Sequence, residues 1–336
     1  MTRTALDRTD DRYGPLPPLP AGLDDPATGI VRGLFAGRSD ADPLAFGPRH
    51  GRARRWRYLA ASDGDTAVGA AVVDLGVVGI AFAWAQFGAR TVTWERRAPL
   101  GRGLTVGRGL DTAASSRSPG ARLQLDADGG FRVDVPVGDG RRLTADVRTA
   151  EDVTPAVAIT RTPEGGWNAT QKAAGYPVAG WVRLGDQTRT PLGTAASGWR
   201  DATAGRQDRV TTWRWAAGGG RSEDGRHVGL NAGTGMNEAG EGECVVWWDG
   251  VPHRLIVERL GPEDEWDPIG DWVVAGPGWT LWFEPRGLRA KDERLPLITS
   301  RYVQPIGRFR GTLPDPGGQP VEVALAGVTE NHLAVW

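Results

Sequence analysis

Short apolar or alternating runs, separated by Gly, Asp and Pro clusters, dominate this chain and predict strands. The clearest case is Leu123 to Val147, where LQLD, ADGG, FRVDVPV, GDGR and RLTADV read as a three-strand meander. Alternation puts Phe131, Val133, Val135 and Val137 on one face. Asp-Gly pairs supply the positive φ angles that tight hairpins require. A second hairpin runs over Cys244 to Trp248, turns at Asp249-Gly250 and returns over Val251 to Glu258. Others are expected at Asp63-Gly64 and Asp224-Gly225. The apolar run Ala67 to Ala89 would bury Asp74 near its middle as a membrane span, at about 2.5–3.5 kcal/mol. Glycines 69, 76, 79 and 88 interrupt it. Two buried strands joined near Asp74-Leu75-Gly76 are predicted instead.

Further strands are expected over 55–61, 90–95, 156–160, 178–184, 209–216, 227–231, 279–284, 303–313, 321–326 and 332–336. Only 108–120 and 190–197 suggest a short turn of helix. The sum is about sixteen to twenty strands with very little helix, an all-β antiparallel chain. So many open edges would invite aggregation, which argues for barrels or sandwiches. A barrel of about eight strands leaves a cavity for one small ligand. Two such lobes side by side suit 336 residues. Pattern breaks at TAEDVTPAV and RTPEGG place the boundary: a flexible arm or strap over 1–28, an N-terminal lobe over 29–160 and a C-terminal lobe over 161–336.

Composition narrows the function. Gly (49) and Pro (24) are abundant, but 40% of the residues are hydrophobic, too many for disorder. The net charge of −1 gives no overall positive field for nucleic acid or an anionic membrane. Lys172 and Lys291 are the chain's two lysines; arginine carries the rest of the basic charge. Cys244 is the single cysteine, so no intrachain disulfide and no cysteine zinc site can form. That suits a reducing cytosol, and the polar, Pro-rich N-terminus lacks a secretory apolar core. A cytoplasmic protein without an integral membrane span is expected.

Candidate chemistry concentrates between Gly198 and Gly250. Five of the 15 tryptophans lie there, Trp199, Trp213, Trp215, Trp247 and Trp248, among Asp201, Arg206, Asn231 and Glu243. Rings beside a few polar groups suit a ligand pocket or a heavily packed core. Trp213 and Trp215 share one strand face, either lining a cavity or filling a core. Trp247 and Trp248 are adjacent and oppose one another. Asp201 and Arg206, five apart around Gly205, either pair to pin a loop or leave Asp201 in an apolar niche as a general acid. Glu243 is either a base or an anchor for the preceding glycine-rich loop. Lys172 is either a pocket cation or acid, since lysine loses its proton on burial where arginine does not, or a surface residue. Cys244 reads as a small hydrophobe with no local histidine to activate it. His50, His227, His253 and His332 show no metal spacing; Glu330 and His332 share a strand face as a weak metal or acid–base pair. The run Gly101 to Gly107 lacks the βαβ context of a dinucleotide fingerprint, so no nicotinamide cofactor is expected.

The order of motifs resembles the DUF2804 family over about residues 30–336. The matching pieces include Thr170-Gln171-Lys172, Gly198-Trp199-Arg200-Asp201, Thr203-Ala204-Gly205-Arg206 and Thr212-Trp213-Arg214-Trp215-Ala216. Gly229-Leu230-Asn231, Trp248-Asp249-Gly250, Gln304-Pro305-Ile306-Gly307 and Gly327-Val328-Thr329-Glu330 follow, with Arg55-Trp56-Arg57-Tyr58 in the first half. Two stretches depart from the pattern: Glu243-Cys244 stands for Glu-Asn, and Asn231-Ala232-Gly233-Thr234-Gly235 for an Asn-Leu-Gly-Asp-Gly-like run. The resemblance implies no established activity. It implies a two-domain lipocalin-like (calycin) fold similar to that of carotenoid hydratases, tocopherol cyclase and calycin-type Diels–Alderases. The expected partner is a small apolar or amphipathic molecule. The expected chemistry is a cofactor-free hydration, cyclisation or isomerisation using Asp201, Glu243 and Lys172, with Trp199, Arg206, Trp213, Trp215, Asn231 and Trp248 against the ligand. A non-catalytic carrier, or a sugar-binding protein using Trp stacking near Glu241, Glu243, Asp249 and Glu284, remains open.

Overall fold

The computed structural model describes residues 13–21, 23, 32–46, 52–162, 164–236, 242–264, 267, 269–294 and 299–336. Its strands form two large, curled antiparallel sheets. The first carries β1 (Gly33–Ala36), β2 (Arg54–Ser62), β3 (Thr66–Asp74), β4 (Val78–Phe87), β5 (Arg90–Pro99), β6 (Leu104–Val106) and β7 (Ala114–Ser118). It continues with β8 (Ala121–Leu125), β9 (Phe131–Pro136), β10 (Arg142–Thr149), β11 (Ala156–Arg161), β12 (Trp167–Leu184), β13 (Thr190–Pro191) and β14 (Ser197–Arg206). The second carries β15 (Val210–Ser222), β16 (His227–Thr234), β17 (Val245–Trp248), β18 (Val251–Arg254) and β19 (Arg259–Pro262). It ends with β20 (Trp272–Gly276), β21 (Trp279–Arg294), β22 (Thr299–Pro314) and β23 (Pro320–Val335). Among the described residues helix is limited to short 3₁₀ turns at Pro43–Ala45 and Gly138–Gly140 and to Tyr13. The turns expected over 108–120 and 190–197 are not helical: they hold β7, β13 and loops, because neither has an apolar stripe for a helix to bury.

The chain changes sheet between Arg206 and Val210. The expected boundary at 160 therefore lies inside the first sheet. The Pro-Gly-rich break that suggested it is the hairpin between β11 and β12, which pair from Ala156↔Lys172 to Arg161↔Trp167. Of the expected N-terminal arm, 1–12, 22 and 24–28 lie outside the described residues. Residues 14–19 form an extended strap: Leu16 N–H donates to Pro252 (3.1 Å) and Leu19 N–H to Ala36 (2.8 Å), tying β18 to β1.

Period-2 alternation gives every long strand two different faces. In the first sheet, Leu59, Ala61, Val68, Val72, Val133 and Val135 point inward with Phe131 and Tyr176, filling the curl. The opposite face, with Tyr58, Ala60, Trp84 and Trp199, packs against Trp215, Trp247, Ile306 and Val328 of the second sheet. The second sheet encloses its own core around Trp248, Trp272, Phe283 and Phe309. The two curled sheets thus meet through their outer faces.

At one end they meet backbone to backbone. Gly175 (φ +77°) sits at a bulge in β12, where a Cβ would lie 2.5 Å from the Gly229 nitrogen. A Cβ on Gly229 would lie 2.2 Å from the Ala174 carbonyl oxygen. At the other end large side chains hold the sheets apart, so the space between them is a wedge.

Candidate functional site

The wedge contains a cavity of about 150 Å³ lined from both sheets. Register builds its walls. In the first sheet one cross-strand row runs Lys172, Asp201, Tyr58, Ala71, Phe82, Glu95. The adjacent row runs Thr170, Thr203, Trp56, Val73, Ile80, Arg97. In the second sheet Trp213, His332, Tyr302 and Lys291 form one row, flanked by Trp215 with Glu330 and by Ser300 with Glu293. Residues paired across strands share a face, so each sheet turns one polar–aromatic band toward the other.

At one side Lys172 is buried under the indole of Trp215, its Nζ 5.3 Å from the ring centroid. The ammonium lies 3.1 Å from Asp201 Oδ2 and 3.5 Å from Glu243 Oε2. Burial opposes its charge, but the two carboxylates outweigh burial and hold the Lys172 pKa above its ordinary value. Lys172 is a permanent cation here. Asp201 also accepts from Trp56 Nε1 (2.9 Å), Thr170 Oγ1 (3.1 Å) and Thr203 Oγ1 (2.9 Å). Both its oxygens are engaged by donors. Asn231 stands behind this cluster: it accepts from Trp215 Nε1 (2.8 Å) and donates to the Glu243 carbonyl (2.6 Å), fixing ring and carboxylate together.

The opposite wall carries a second cluster. Glu330 is buried and accepts from Trp213 Nε1 (2.9 Å), from the Gln304 amide and from His332 Nδ1 (3.0 Å). Burial alone would raise its pKa; the His332, Arg289 and Trp213 interactions more than reverse this and leave it below the ordinary 4.5. An ionised Glu330 favours the tautomer with Nδ1 protonated, and in that neutral tautomer Nε2 is the acceptor. Ser300 Oγ lies 3.0 Å from that Nε2. The imidazole stacks on Trp213, with ring centroids 3.9 Å apart. Ion pairs Lys291–Glu95 and Arg97–Glu293 close the edge between β5 and β21, and Arg289 lies 3.5 Å over the Phe82 ring.

Lys172, Asp201, Glu243, Trp213 and Trp215 are thus brought together on one cavity. Other expected residues are not. Trp199 shares Asp201's face but is packed solid beyond the cavity floor. Trp248 lies in the core of the second sheet, its Nε1 donating to Pro314 (3.0 Å), and Trp247 donates to Thr154 (2.8 Å). Asn231 supports the wall without lining it. Asp201 and Arg206 do not pair: GWRDATAGR is not a loop but the central strand β14, and an odd spacing sends the two side chains to opposite faces. Cys244 is half-buried beside Gly233, and burial pushes its thiol up to about 12, so it is no nucleophile. His50 and Glu241 lie outside the described residues. Asp249 and Glu284 are exposed and do not line the cavity. No metal-capable group of three His, Cys, Asp or Glu side chains occurs among the described residues. Among them, too, no helix is long and apolar enough to cross a membrane.

Residue reasoning missed Trp56, Tyr58, Ser300, Tyr302, Gln304, Arg289 and the Glu95–Lys291 edge. Their signal was alternation in four separate segments, which converges only once register is known. Glu330 and His332 were visible as neighbours two apart, but their setting was not.

Comparison with known proteins finds the same fold elsewhere. A crystal structure of a putative AttH from Nitrosomonas europaea superposes with a TM-score of 0.53 at 13% identity, covering 94% of this chain and 98% of that one. CghA superposes at 0.50 and 13% identity (96% and 97% covered), and kievitone hydratase from Nectria haematococca at 0.51 and 12% identity (95% and 98%). At these identities the likeness is one of fold. No curated protein matches by sequence. The model of the domain of unknown function DUF2804 matches residues 27–336, and the chain belongs to that family.

Proposed function

We propose that the protein holds a small, largely apolar molecule between its two sheets and carries out a cofactor-free acid–base step on it, of which addition or loss of water is the leading case. One observation carries this reading: a single apolar cavity faces a buried ammonium on one wall and a carboxylate-held imidazole on the other. The apolar surface of Ala71, Val73, Ile80 and Phe82 receives the hydrocarbon body of the guest. Lys172, fixed by Asp201 and Glu243, faces an oxygen of the guest and stabilises negative charge that develops there. His332, fixed by Glu330, takes or gives the proton. A pocket that excludes bulk water strengthens both effects. The fold shared with a protein named kievitone hydratase supports water addition as the reaction class.

A carrier without turnover is the second reading. It is favoured by Asp201, whose oxygens are occupied by four donors and which therefore works as a structural acceptor. Mass spectrometry of molecules released from the natively purified protein tests the shared premise. An apolar compound at near-equal stoichiometry is expected, and it should be lost from Trp213→Ala/Trp215→Ala. Full retention in that variant would contradict the reading. Conversion of the released compound to a product differing by one water would separate the enzyme from the carrier.

A further inference from the structure

The second cluster has a member that the acid–base reading does not use. Ser300 Oγ, His332 Nε2 and Glu330 Oε1 form one line: Oγ is 3.0 Å from Nε2, and Nδ1 is 3.0 Å from Oε1. Ser300 comes from β22, and His332 and Glu330 come from β23, all three from the cavity-facing side. We propose that Ser300 is the nucleophile of a Ser–His–Glu triad, and that the cavity catalyses acyl transfer from esters or thioesters of small apolar acids to water.

The order of the contacts supports activation rather than simple pairing. Glu330 is buried and held by three donors, so it keeps its charge and its orientation. It fixes the imidazole with Nδ1 protonated. The Ser300 hydroxyl then donates to the free lone pair on Nε2, the arrangement that removes its proton during attack. The stacked Trp213 keeps the ring from rotating away. Charge for the other end of the reaction is close at hand. Lys291 pairs across the ladder with Tyr302, which places its ammonium on the same face as Ser300. It is the cation that would meet an oxyanion on the attacked carbonyl. At the β5–β21 edge the Arg97–Glu293 ion pair joins the ladder partner of Ile80 to the ladder partner of Ser300. Ser300 lines the same cavity as Ile80, Val73 and Trp56, an apolar strip suited to an acyl chain.

The steps balance without any added oxidant or reductant. Ser300 Oγ bonds to the carbonyl carbon while its proton passes to His332 Nε2. The C–O or C–S bond to the leaving group breaks, and that group departs with the proton from His332. Water then gives a proton to His332 and its oxygen to the acyl carbon. The acid leaves, and the proton returns to Ser300.

This proposal rests on the cavity's accepting an apolar guest beside His332, but it does not involve Lys172. The test is labelling of the full chain by an alkyl fluorophosphonate, with peptide mapping, together with hydrolysis of p-nitrophenyl butyrate. Ser300 should carry the label, and hydrolysis should fall by about a thousandfold or more in Ser300→Ala. His332→Asn should lose labelling as well. Ser300→Ala should keep the wild-type melting midpoint, which separates loss of hydrolysis from loss of fold. An unlabelled wild-type Ser300 in folded protein that still binds a polyene acid, read by quenching of tryptophan fluorescence, would overturn the triad and leave the binding reading standing. Loss of polyene binding in the wild type would overturn both.

Discussion

At the residue scale the informative facts are about parity. Both lysines of an arginine-rich chain face the same cavity, Lys172 from β12 and Lys291 from β21. Each is held by two carboxylates. Glu330 offers the cleanest pH signature. Its folded pKa is below the ordinary 4.5, so it contributes stability that is complete above that value and is lost as pH falls through the folded pKa. Glu330→Gln removes that contribution. The variant's denaturation midpoint should therefore change less than the wild type's between pH 5 and more acidic conditions, at about pH 3. Identical acid dependence in the two proteins would show that Glu330 is not ionised in the fold. The pair Glu330 and His332 was legible as a shared strand face. Ser300 was not, because the contact joins residues 32 apart and depends on the β22–β23 register.

At the element scale alternation was readable wherever the strand buried one face. The meander of β8, β9 and β10 and the β3–β4 hairpin were expected and are present. Strand β14, with Gly198, Asp201 and Gly205 along it, stands where a loop pinned by Asp201 and Arg206 is expected from the sharp turn that Gly205 permits. The two glycines and Asp201 are tolerated because β14 is central: β2 and β12 satisfy its backbone, and Asp201 and Thr203 point into the site. Strands β12 and β21 run longer than expected, since bulges at Gly175 and Arg286 interrupt the pattern without ending the ladder. The close approach at Gly229 left no sequence signal beyond the glycine itself. Gly229→Ala sets a methyl group against the Ala174 carbonyl, where no flexible side chain can yield. A loss of about 3 kcal/mol is expected, measured by urea denaturation. An unchanged midpoint would mean that the sheets do not touch there.

At the scale of the whole molecule two curled antiparallel sheets are present, as the all-β expectation required, but the expected cavity inside a barrel does not describe the site. The curl of the first sheet is filled by Phe131, Tyr176 and aliphatic side chains, and the site lies between the sheets. Composition could show that aromatic rings were plentiful. It could not show which rings lie between the sheets, such as Trp215, and which serve one sheet's own core, such as Trp248. Closure by the Lys291–Glu95 and Arg97–Glu293 pairs makes access depend on the two sheets together. The most direct measurement is equilibrium titration with a conjugated polyene fatty acid, read by quenching of tryptophan fluorescence, in the wild type and in Ala71→Phe. Ala71 lies on the cavity wall between Tyr58 and Phe82, so a ring there occupies the guest's space. Saturable one-to-one binding in the wild type is predicted, weakened at least about tenfold in the variant at an unchanged melting midpoint. Equal affinity in the two proteins would contradict a binding site between the sheets.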